Sequence, residues 1–425
     1  MNKIKIDNFK ETLYYEELDN GLKTYIVPTK NKKSFSAMLI VKYGARDISF
    51  TVNDKKYDMP PGIAHFLEHK MFEQKEDPFS FYGKFGTDVN AATTDDYTCY
   101  YFSGSKCFNK SLKYLLNWIQ NIDIDDKLVE KEKGIILEEA SMYKDVPTRV
   151  MHNKIKENIY INDPKKNKAI GNDEDIKNIT KEQLELCYNT FYVPNNMYLI
   201  ISGNINPTKT LSIIKEEIKD FEPINEKVIK NYDNEPDEVA KKYEEIHMNI
   251  STPYINLSYK INKDCFKELN ITPFELDLYL HSLINISLGA TAKMRQDWLE
   301  RNLFVDSTYR ITEIETHYII SFTATSNKIE ELIKSFEEYL KDMQTDESSF
   351  EREKKMWIAS EIKSTENPMS IIYNILDDLL DYNTFISNKI ERIRKLDYNT
   401  LKKVKEAISY KNNIIIKILP LQSKK

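Results

Sequence analysis

The chain has 425 residues, of which 41% are hydrophobic and 30% are charged, so it is long enough for two or three domains with packed cores. Its net charge of −6 and its lack of a long basic block disfavour a nucleic-acid-binding protein or a polybasic membrane-surface protein. The 10 glycines form neither a G-x-x-x-x-G-K-[ST] nor a G-x-G-x-x-G pattern, which excludes nucleotide-phosphate loops of these two types.

The cysteine content and the hydrophobic runs favour a cytoplasmic location. The 4 cysteines form no C-x-x-C pair and no dense disulfide framework, which is typical of a reduced compartment. The first residues lack the apolar stretch of a signal peptide. No apolar run approaches the roughly 18 residues that span a bilayer. We therefore expect a cytoplasmic protein without a membrane span.

The first half of the chain predicts strands and helices in an order typical of an α+β domain. Strands are predicted over 22–28, 35–43, 88–103 and 196–203. Helices are predicted over 61–74, 109–121, 125–160 and 181–191. The charged segment around 219–242 contains Pro223 and Pro236 and has no apolar period, so it predicts a linker.

The second half repeats this plan. Strands are predicted over 254–261, 307–326 and 413–419, and helices over 273–301, 328–341, 347–364 and 396–407. A weak internal duplication at about 200 residues is consistent with this order. We therefore predict an α+β fold with two similar domains, each a mostly antiparallel sheet covered by helices. The domains are expected at 1–220 and 241–425, with a linker over 221–240.

The segment His65-Phe-Leu-Glu68-His69 carries the strongest chemical signal in the chain. On a helix, His65 and His69 lie one turn apart with Glu68 beside them. The apolar residues on the opposite arc can face a core, and they are Ile63, Phe66, Leu67 and Met71. Two imidazoles at this spacing can bind one Zn²⁺, and the carboxylate between them can reach an activated water, as in the H-x-x-E-H arrangement. The alternative interpretation is a pair of histidines on a solvated helix face.

A catalytic zinc site also needs a third protein ligand, and the acidic segment 130–139 supplies candidates. Glu132 and Glu139 are seven positions apart, so they lie on nearly the same face of a helix. Glu138 points about 100° away from Glu139. Helical geometry alone does not decide which carboxylate would bind a metal. A charged, solvent-facing helix is the alternative.

These segments resemble the pitrilysin/insulinase family of zinc metallopeptidases, which are called inverzincins. Within that family, they resemble the bacterial processing-peptidase-like branch. The resemblance rests chiefly on residues 62–72 and 132–147, is strong over about 15–210, and is architectural beyond 240. It implies the fold of the mitochondrial processing peptidases and the LuxS-like metallohydrolases.

The resemblance implies a metal site and a general base. His65, His69 and Glu139 would hold one Zn²⁺ per chain, so the resemblance selects Glu139 over Glu138. The zinc would lower the pKa of a water and polarise the scissile carbonyl. Glu68 would take the proton of that water and later deliver it to the leaving amine. The metal bound in the cell stays open, because manganese or cobalt can occupy similar sites.

The resemblance also assigns roles outside the metal ligands. Glu132 would assist catalysis as a supporting acid near the metal. Asn90 and Ala91 match the edge strand to which a peptide substrate adds, and such main-chain pairing gives affinity with loose sequence preference.

One feature of the second half departs from the family pattern. Family members commonly place an Arg and a Tyr from the second domain over the substrate carbonyl. The matching segment, 293–309, has no such pair at the expected spacing, and Val305 occupies the position of the Tyr. Arg295, Arg301 and Tyr309 lie nearby without matching the pattern. The contribution of this half to catalysis is therefore left open.

We predict a zinc metalloendopeptidase that hydrolyses unfolded peptides or processes precursor and leader peptides. The resemblance implies a chamber formed by two such chains, hence a homodimer or a heterodimer with a related subunit. The alternative is a non-catalytic or partner-dependent subunit of a peptidase heterodimer, with a structural or peptide-binding role. A zinc hydrolase of small molecules is a third hypothesis.

Overall fold

The computed structural model describes residues 1–6, 11–30, 32–341 and 343–421. The strands in this part of the chain are β1 (Asn2–Lys5), β2 (Thr12–Glu17), β3 (Lys23–Pro28), β4 (Phe35–Val41), β5 (Ser49–Val52), β6 (Lys55–Asp58), β7 (Asp88–Thr93), β8 (Thr98–Gly104), β9 (Met197–Gly203), β10 (Val228–Lys230), β11 (Tyr243–Met248), β12 (Tyr254–Asn262), β13 (Asp306–Glu313), β14 (His317–Thr325) and β15 (Asn413–Pro420).

The helices of the described residues follow the same chain order. They are α1 (Ile63–Phe72), α2 (Pro78–Gly83), α3 (Phe108–Ile119), α4 (Asp126–Lys144), α5 (Pro147–Ile159), α6 (Asp173–Asn178), α7 (Lys181–Phe191), α8 (Pro207–Glu217), α9 (Pro273–Leu288), α10 (Lys293–Glu300), α11 (Ile329–Lys341), α12 (Glu347–Ser364), α13 (Pro368–Asp381), α14 (Lys389–Lys395) and α15 (Tyr398–Ala407). None of them is both long and apolar enough to cross a lipid bilayer.

The chain divides into two compact units, each built from three segments. Unit 1 comprises Met1–Ala140, Asn167–Tyr232 and Glu361–Lys389. Unit 2 comprises Ser141–Lys166, Asp233–Ser360 and Ile390–Lys425.

The main sheet of unit 1 has the strand order β1-β2-β3-β9-β4-β8-β7 among the described residues. Within the part of the chain that the structure describes, β3 and β9 are the one parallel pair of this sheet, and the other neighbours are antiparallel. The interior strand β4 is buried along its whole length, as expected for an apolar strand covered on both faces. Helices α1 and α3 pack on the strands around β8, and β7 lies at the edge.

The sheet of unit 2 repeats the core of this topology. Its order is β11-β15-β12-β14-β13, with β11 and β15 parallel and the other neighbours antiparallel. The strands β3, β9, β4, β8 and β7 of unit 1 have the same order and the same pattern of directions. The prediction of an α+β fold with two similar, mostly antiparallel domains is therefore confirmed.

Helix α13 shows why the compact units are discontinuous. It lies late in the chain but packs on β4 and β9 of unit 1. Its apolar side chains form one buried cluster with the face of the sheet opposite α1, including Ile372, Ile375, Met38 and Ile40. The expected linker also contains β10, which pairs with β5 in unit 1. The boundaries expected at 220 and 241 stay a prediction about independently folding domains.

The helix predicted over 125–160 is wrong in one respect, because the structure has two helices there. Helix α4 ends at Lys144 and α5 begins at Pro147. A proline cannot donate the backbone hydrogen bond of a helix interior and disfavours helical geometry in the residue before it. Val146 is accordingly extended, with φ −97° and ψ 107°. The segment between 364 and 396 received no predicted element, and it contains α13 and α14.

Candidate metal centre

The residue directly before helix α1 is a glycine that no other residue could easily replace. Gly62 has φ +93°, and a Cβ at this position would lie 2.4 Å from the carbonyl oxygen of Ile170. The helix then buries the apolar arc predicted from its sequence, namely Ile63, Phe66, Leu67 and Met71. Because that arc faces the core, the opposite arc of α1 carries the polar side chains.

The three predicted metal ligands lie close together, with His65 and His69 on the polar arc of α1 and Glu139 on α4. The Nε2 atom of His65 lies 3.8 Å from Oε2 of Glu139, and the Nε2 atom of His69 lies 3.4 Å from the same oxygen. A tetrahedral zinc ion with bonds of about 2.0–2.1 Å places its ligand atoms about 3.3 Å apart. Within the described residues, these three form the one group of His, Cys, Asp and Glu side chains suited to a metal ion. The donor set therefore fits zinc.

Helix α4 separates the roles of its acidic residues by their orientation. Glu138 is exposed and Glu139 is half-buried beside the histidines. Glu132 is 6% exposed, and its Oε1 atom lies 2.7 Å from Nδ1 of His69. A carboxylate on the second imidazole nitrogen holds a ligating histidine in one tautomer and one orientation.

The two histidines have opposite protonation preferences. Burial lowers the pKa of His65 to about 4. Burial also lowers the pKa of His69, but hydrogen bonds and charges from Glu132 and Glu139 outweigh it and raise that pKa to about 9. Negative charge at the centre of the site therefore attracts a cation, either a proton or a metal ion.

Glu68 lies on the same polar arc and makes a hydrogen bond that its sequence position does not reveal. The Thr93 hydroxyl donates to Oε2 of Glu68 at 2.5 Å. Burial raises the pKa of Glu68, and the hydrogen bonds from Thr93 oppose this increase. The sequence places Thr93 only within the strand predicted over 88–103. Its link to the carboxylate depends on where β7 ends in the sheet.

Lys70 is a second residue that sequence reasoning missed. Its side chain is 0% exposed, although it directly follows His69 in α1. Its ammonium group forms an ion pair with Glu73, and its charge helps to lower the pKa of Glu132. The available signal in the sequence was a lysine among the apolar residues of α1. A lysine buried there needs an anionic partner, which predicts a nearby carboxylate such as that of Glu73.

The residues predicted to bind substrate lie on the edge strand of the sheet. Asn90 and Ala91 are in β7, where Asn90 pairs with Tyr101 and Ala91 pairs with Tyr100 of β8. Among the described residues, β8 is the one strand beside β7 in this sheet. The outer edge of β7 can therefore accept another strand. Peptide binding at this edge stays a prediction.

In segment 293–309, which departs from the family pattern, the polar side chains are held by contacts inside unit 2. Arg295 donates to the Ser307 hydroxyl, and Tyr309 donates to Asn285. Arg301 pairs with Asp297 and Glu331, while Val305 is 71% exposed. These contacts hold the side chains of Arg295, Arg301 and Tyr309 within unit 2.

Comparison with known proteins agrees with this fold and this donor set. The profile described as "Insulinase (Peptidase family M16)" matches residues 26–173, and the profile "Peptidase M16 inactive domain" matches residues 178–356. The uncharacterized zinc protease YmfH of Bacillus subtilis is 33% identical over 325 residues, which cover 76% of this chain and 75% of that protein.

Solved structures give the same result. An M16-like peptidase from Alicyclobacillus acidocaldarius has a TM-score of 0.90 at 26% identity, with 97% of this chain and 99% of that chain covered. A protease from Helicobacter pylori has a TM-score of 0.81 at 19% identity, with 96% and 99% covered, and supports the fold alone. The class of protein is thus that of chains with two M16-like domains. The chain belongs to the insulinase family, peptidase family M16.

Proposed function

We propose that the chain is a zinc-dependent endopeptidase that hydrolyses unfolded peptides or processes precursor and leader peptides. One observation carries the proposal: the Nε2 atoms of His65 and His69 converge on Oε2 of Glu139, with Glu68 on the same face of α1. One zinc ion held by these three side chains would act as a Lewis acid on the scissile carbonyl and activate a water molecule. The zinc-protease names of its relatives support this choice of metal.

Side chains and backbone groups of the protein carry out the proton transfer, the orientation of the ligands and the binding of the substrate. Glu68 accepts a proton from the attacking water and later donates it to the leaving amine. Burial raises the pKa of Glu68, which makes its carboxylate a stronger base. Glu132 holds His69 through its hydrogen bond to Nδ1. The backbone of β7 around Asn90 and Ala91 pairs with the substrate as an added strand.

Cleavage of a mixed pool of unstructured peptides tests the proposal, with mass spectrometry of the products. The purified chain should cut peptides, and Glu68→Gln should lower the rate by about 10²–10⁴-fold while it retains zinc. Glu138→Gln is the matched control, because this exposed carboxylate on α4 should be dispensable. Equal turnover by the wild type and Glu68→Gln would contradict the assignment of the base.

A partner-dependent or non-catalytic subunit is the second candidate. The observation that favours it is the family-like segment of unit 2, in which Val305 occupies the expected Tyr position and is 71% exposed. Bound zinc discriminates the candidates, because a subunit that has lost catalysis would not need to retain its metal. A zinc-loaded chain that cuts peptides only after a related subunit is added would establish partner dependence. A third candidate, a zinc hydrolase of small molecules, would turn over simple esters or amides without preference for peptide length.

The proposal includes the assembly and the location. We propose a homodimer, or a heterodimer with a related subunit, that encloses the peptide substrate. Light scattering tests this, and a fully active monomer would contradict it. We also propose a cytoplasmic location on the basis of the cysteine usage, and cell fractionation tests that part.

A further inference from the structure

The strand proposed to bind the peptide and the carboxylate proposed to act as the base meet at one residue. Thr93 is the last residue of β7, in the same edge strand as Asn90 and Ala91. Its hydroxyl donates to Oε2 of Glu68 at 2.5 Å. The edge strand and the base are therefore joined through this side-chain hydrogen bond between β7 and α1.

Thr93 is itself held in a fixed place. It pairs with Thr98 of β8, and the turn that follows is closed by the Thr94 hydroxyl, which donates to the carbonyl of Tyr97 at 2.9 Å. The backbone N–H of Ala45 donates to the carbonyl of Thr94 at 2.8 Å. These contacts anchor the end of β7 to the segment after β4.

Gly44 shows how closely the turn after β7 approaches this segment. A Cβ at Gly44 would lie 2.4 Å from the carbonyl oxygen of Asp95. Only a residue without a side chain fits there unless the backbone moves. The position of the Thr93 hydroxyl is therefore set by the packing of the hairpin backbone.

We infer that Thr93 is a positioning residue for Glu68: it holds Oε2 so that the other carboxylate oxygen faces the attacking water, in register with a peptide paired on β7. The inference rests on the proposed function and deepens it. A carboxylate on a helix can rotate about its side-chain torsions, and a general base must present an oxygen within hydrogen-bond reach of the proton it takes. The hydrogen bond from Thr93 restricts this rotation, because it holds one of the two carboxylate oxygens.

Kinetics of three variants test the inference. Thr93→Val keeps the shape of the side chain but removes the hydroxyl, and it should lower kcat by about 10- to 100-fold with KM within about twofold. Thr93→Ser restores the hydroxyl and should recover most of kcat. Thr98→Val is the matched control, because it removes a hydroxyl from β8 of the same hairpin, and this hydroxyl donates to the backbone carbonyl of Tyr43 and not to Glu68. Equal losses of kcat in Thr93→Val and Thr98→Val, or a rise in KM alone, would overturn the inference.

A double variant separates an effect through Glu68 from an independent one. If Thr93 acts through this carboxylate, adding Thr93→Val to Glu68→Gln should cause no further loss of rate. Additive losses would overturn the inference. Failure of the proposed function would differ from both outcomes, because the wild type itself would then cut no peptide.

Crystal structures of the metal-free wild type and Thr93→Val give a readout that needs no activity. The Glu68 carboxylate should hold one orientation in the wild type and should rotate or occupy several orientations in the variant. An unchanged carboxylate in Thr93→Val, with the hairpin intact, would overturn the inference whatever the enzyme does.

Discussion

The Oε1 atom of Glu132 lies 2.7 Å from Nδ1 of His69, and Nε2 of the same ring lies 3.4 Å from Oε2 of Glu139. One imidazole is thus held between a buried carboxylate of α4 and the carboxylate proposed to bind zinc. Both acids come from one helix, seven residues apart, so that α4 supplies a metal ligand and the support for a second ligand.

Glu132→Ala should weaken zinc binding by about 10- to 100-fold, because His69 loses the hydrogen bond that orients its ring. Competition with a chromophoric chelator measures the affinity. Glu138→Ala, on the exposed side of the same helix, is the control and should bind zinc like the wild type. Wild-type affinity in Glu132→Ala would contradict this role.

Lys70→Met should lower the free energy of unfolding by about 2–3 kcal/mol, because it leaves Glu73 without its buried partner. Urea unfolding measures the change. Adding Glu73→Gln should recover part of the loss, because no unpaired charge then remains. The exposed pair of Lys84 and Glu76 is the control, and Lys84→Met should change stability by less than about 0.5 kcal/mol. Equal effects at the two lysines would contradict the argument.

Much of this arrangement follows from the sequence. Where the sequence does not predict a contact, there is a physical reason. The period of α1 predicts its buried face, because His65 and His69 are one turn apart and the apolar residues lie opposite. The choice of Glu139 over Glu138 does not follow from the helix alone, because it depends on how α4 is rotated against α1. The Thr93 contact depends on the register of β7, which period-two patterning leaves open.

The packing position of α13 also cannot be predicted from its local sequence pattern. Its apolar period predicts a helix with one buried face, but nothing in that pattern states which sheet the face covers. The structure places Ile372 and Ile375 on the sheet of unit 1. Pro147, by contrast, could have been predicted to end the long helix pattern, because its effect on the backbone is local.

Ile372→Ala should lower the free energy of unfolding by about 3 kcal/mol, because this side chain is 0% exposed between α13 and the sheet of unit 1. Chemical denaturation measures the loss. Tyr373→Ala changes the neighbouring residue, which is 38% exposed, and should cost less. A fragment of residues 1–220 lacks α13 and should expose this face of the sheet. A soluble, cooperatively folded fragment would contradict the role given to α13.

His317 should make unit 2 less stable as the pH falls. Its side chain is 1% exposed, with Nε2 3.0 Å from Asp237 and Nδ1 2.8 Å from the Thr316 hydroxyl. Burial lowers its pKa, although Asp237 opposes this. The unfolded state therefore binds the proton more readily than the folded state, and the stability that His317 contributes above pH ~6.5 is lost as the pH falls through its folded pKa.

Unfolding measured at pH 7.5 and at pH 5 tests this sign. The free energy of unfolding should fall more in the wild type than in His317→Gln, which cannot take up the proton. His247→Gln changes a histidine that is 38% exposed and should follow the wild type. A His317→Gln variant with the full wild-type loss would contradict the assignment.

The zinc content of four purified proteins tests the central claim most directly. Mass spectrometry of the metal should find one zinc per chain in the wild type, in Glu68→Gln and in Glu138→Ala, and almost none in Glu139→Ala. This pattern would assign Glu139 as a ligand of the metal at the group that it forms with His65 and His69, and it would leave Glu68 free to act as the base. A wild type without zinc, or a Glu139→Ala variant that retains it fully, would contradict the account.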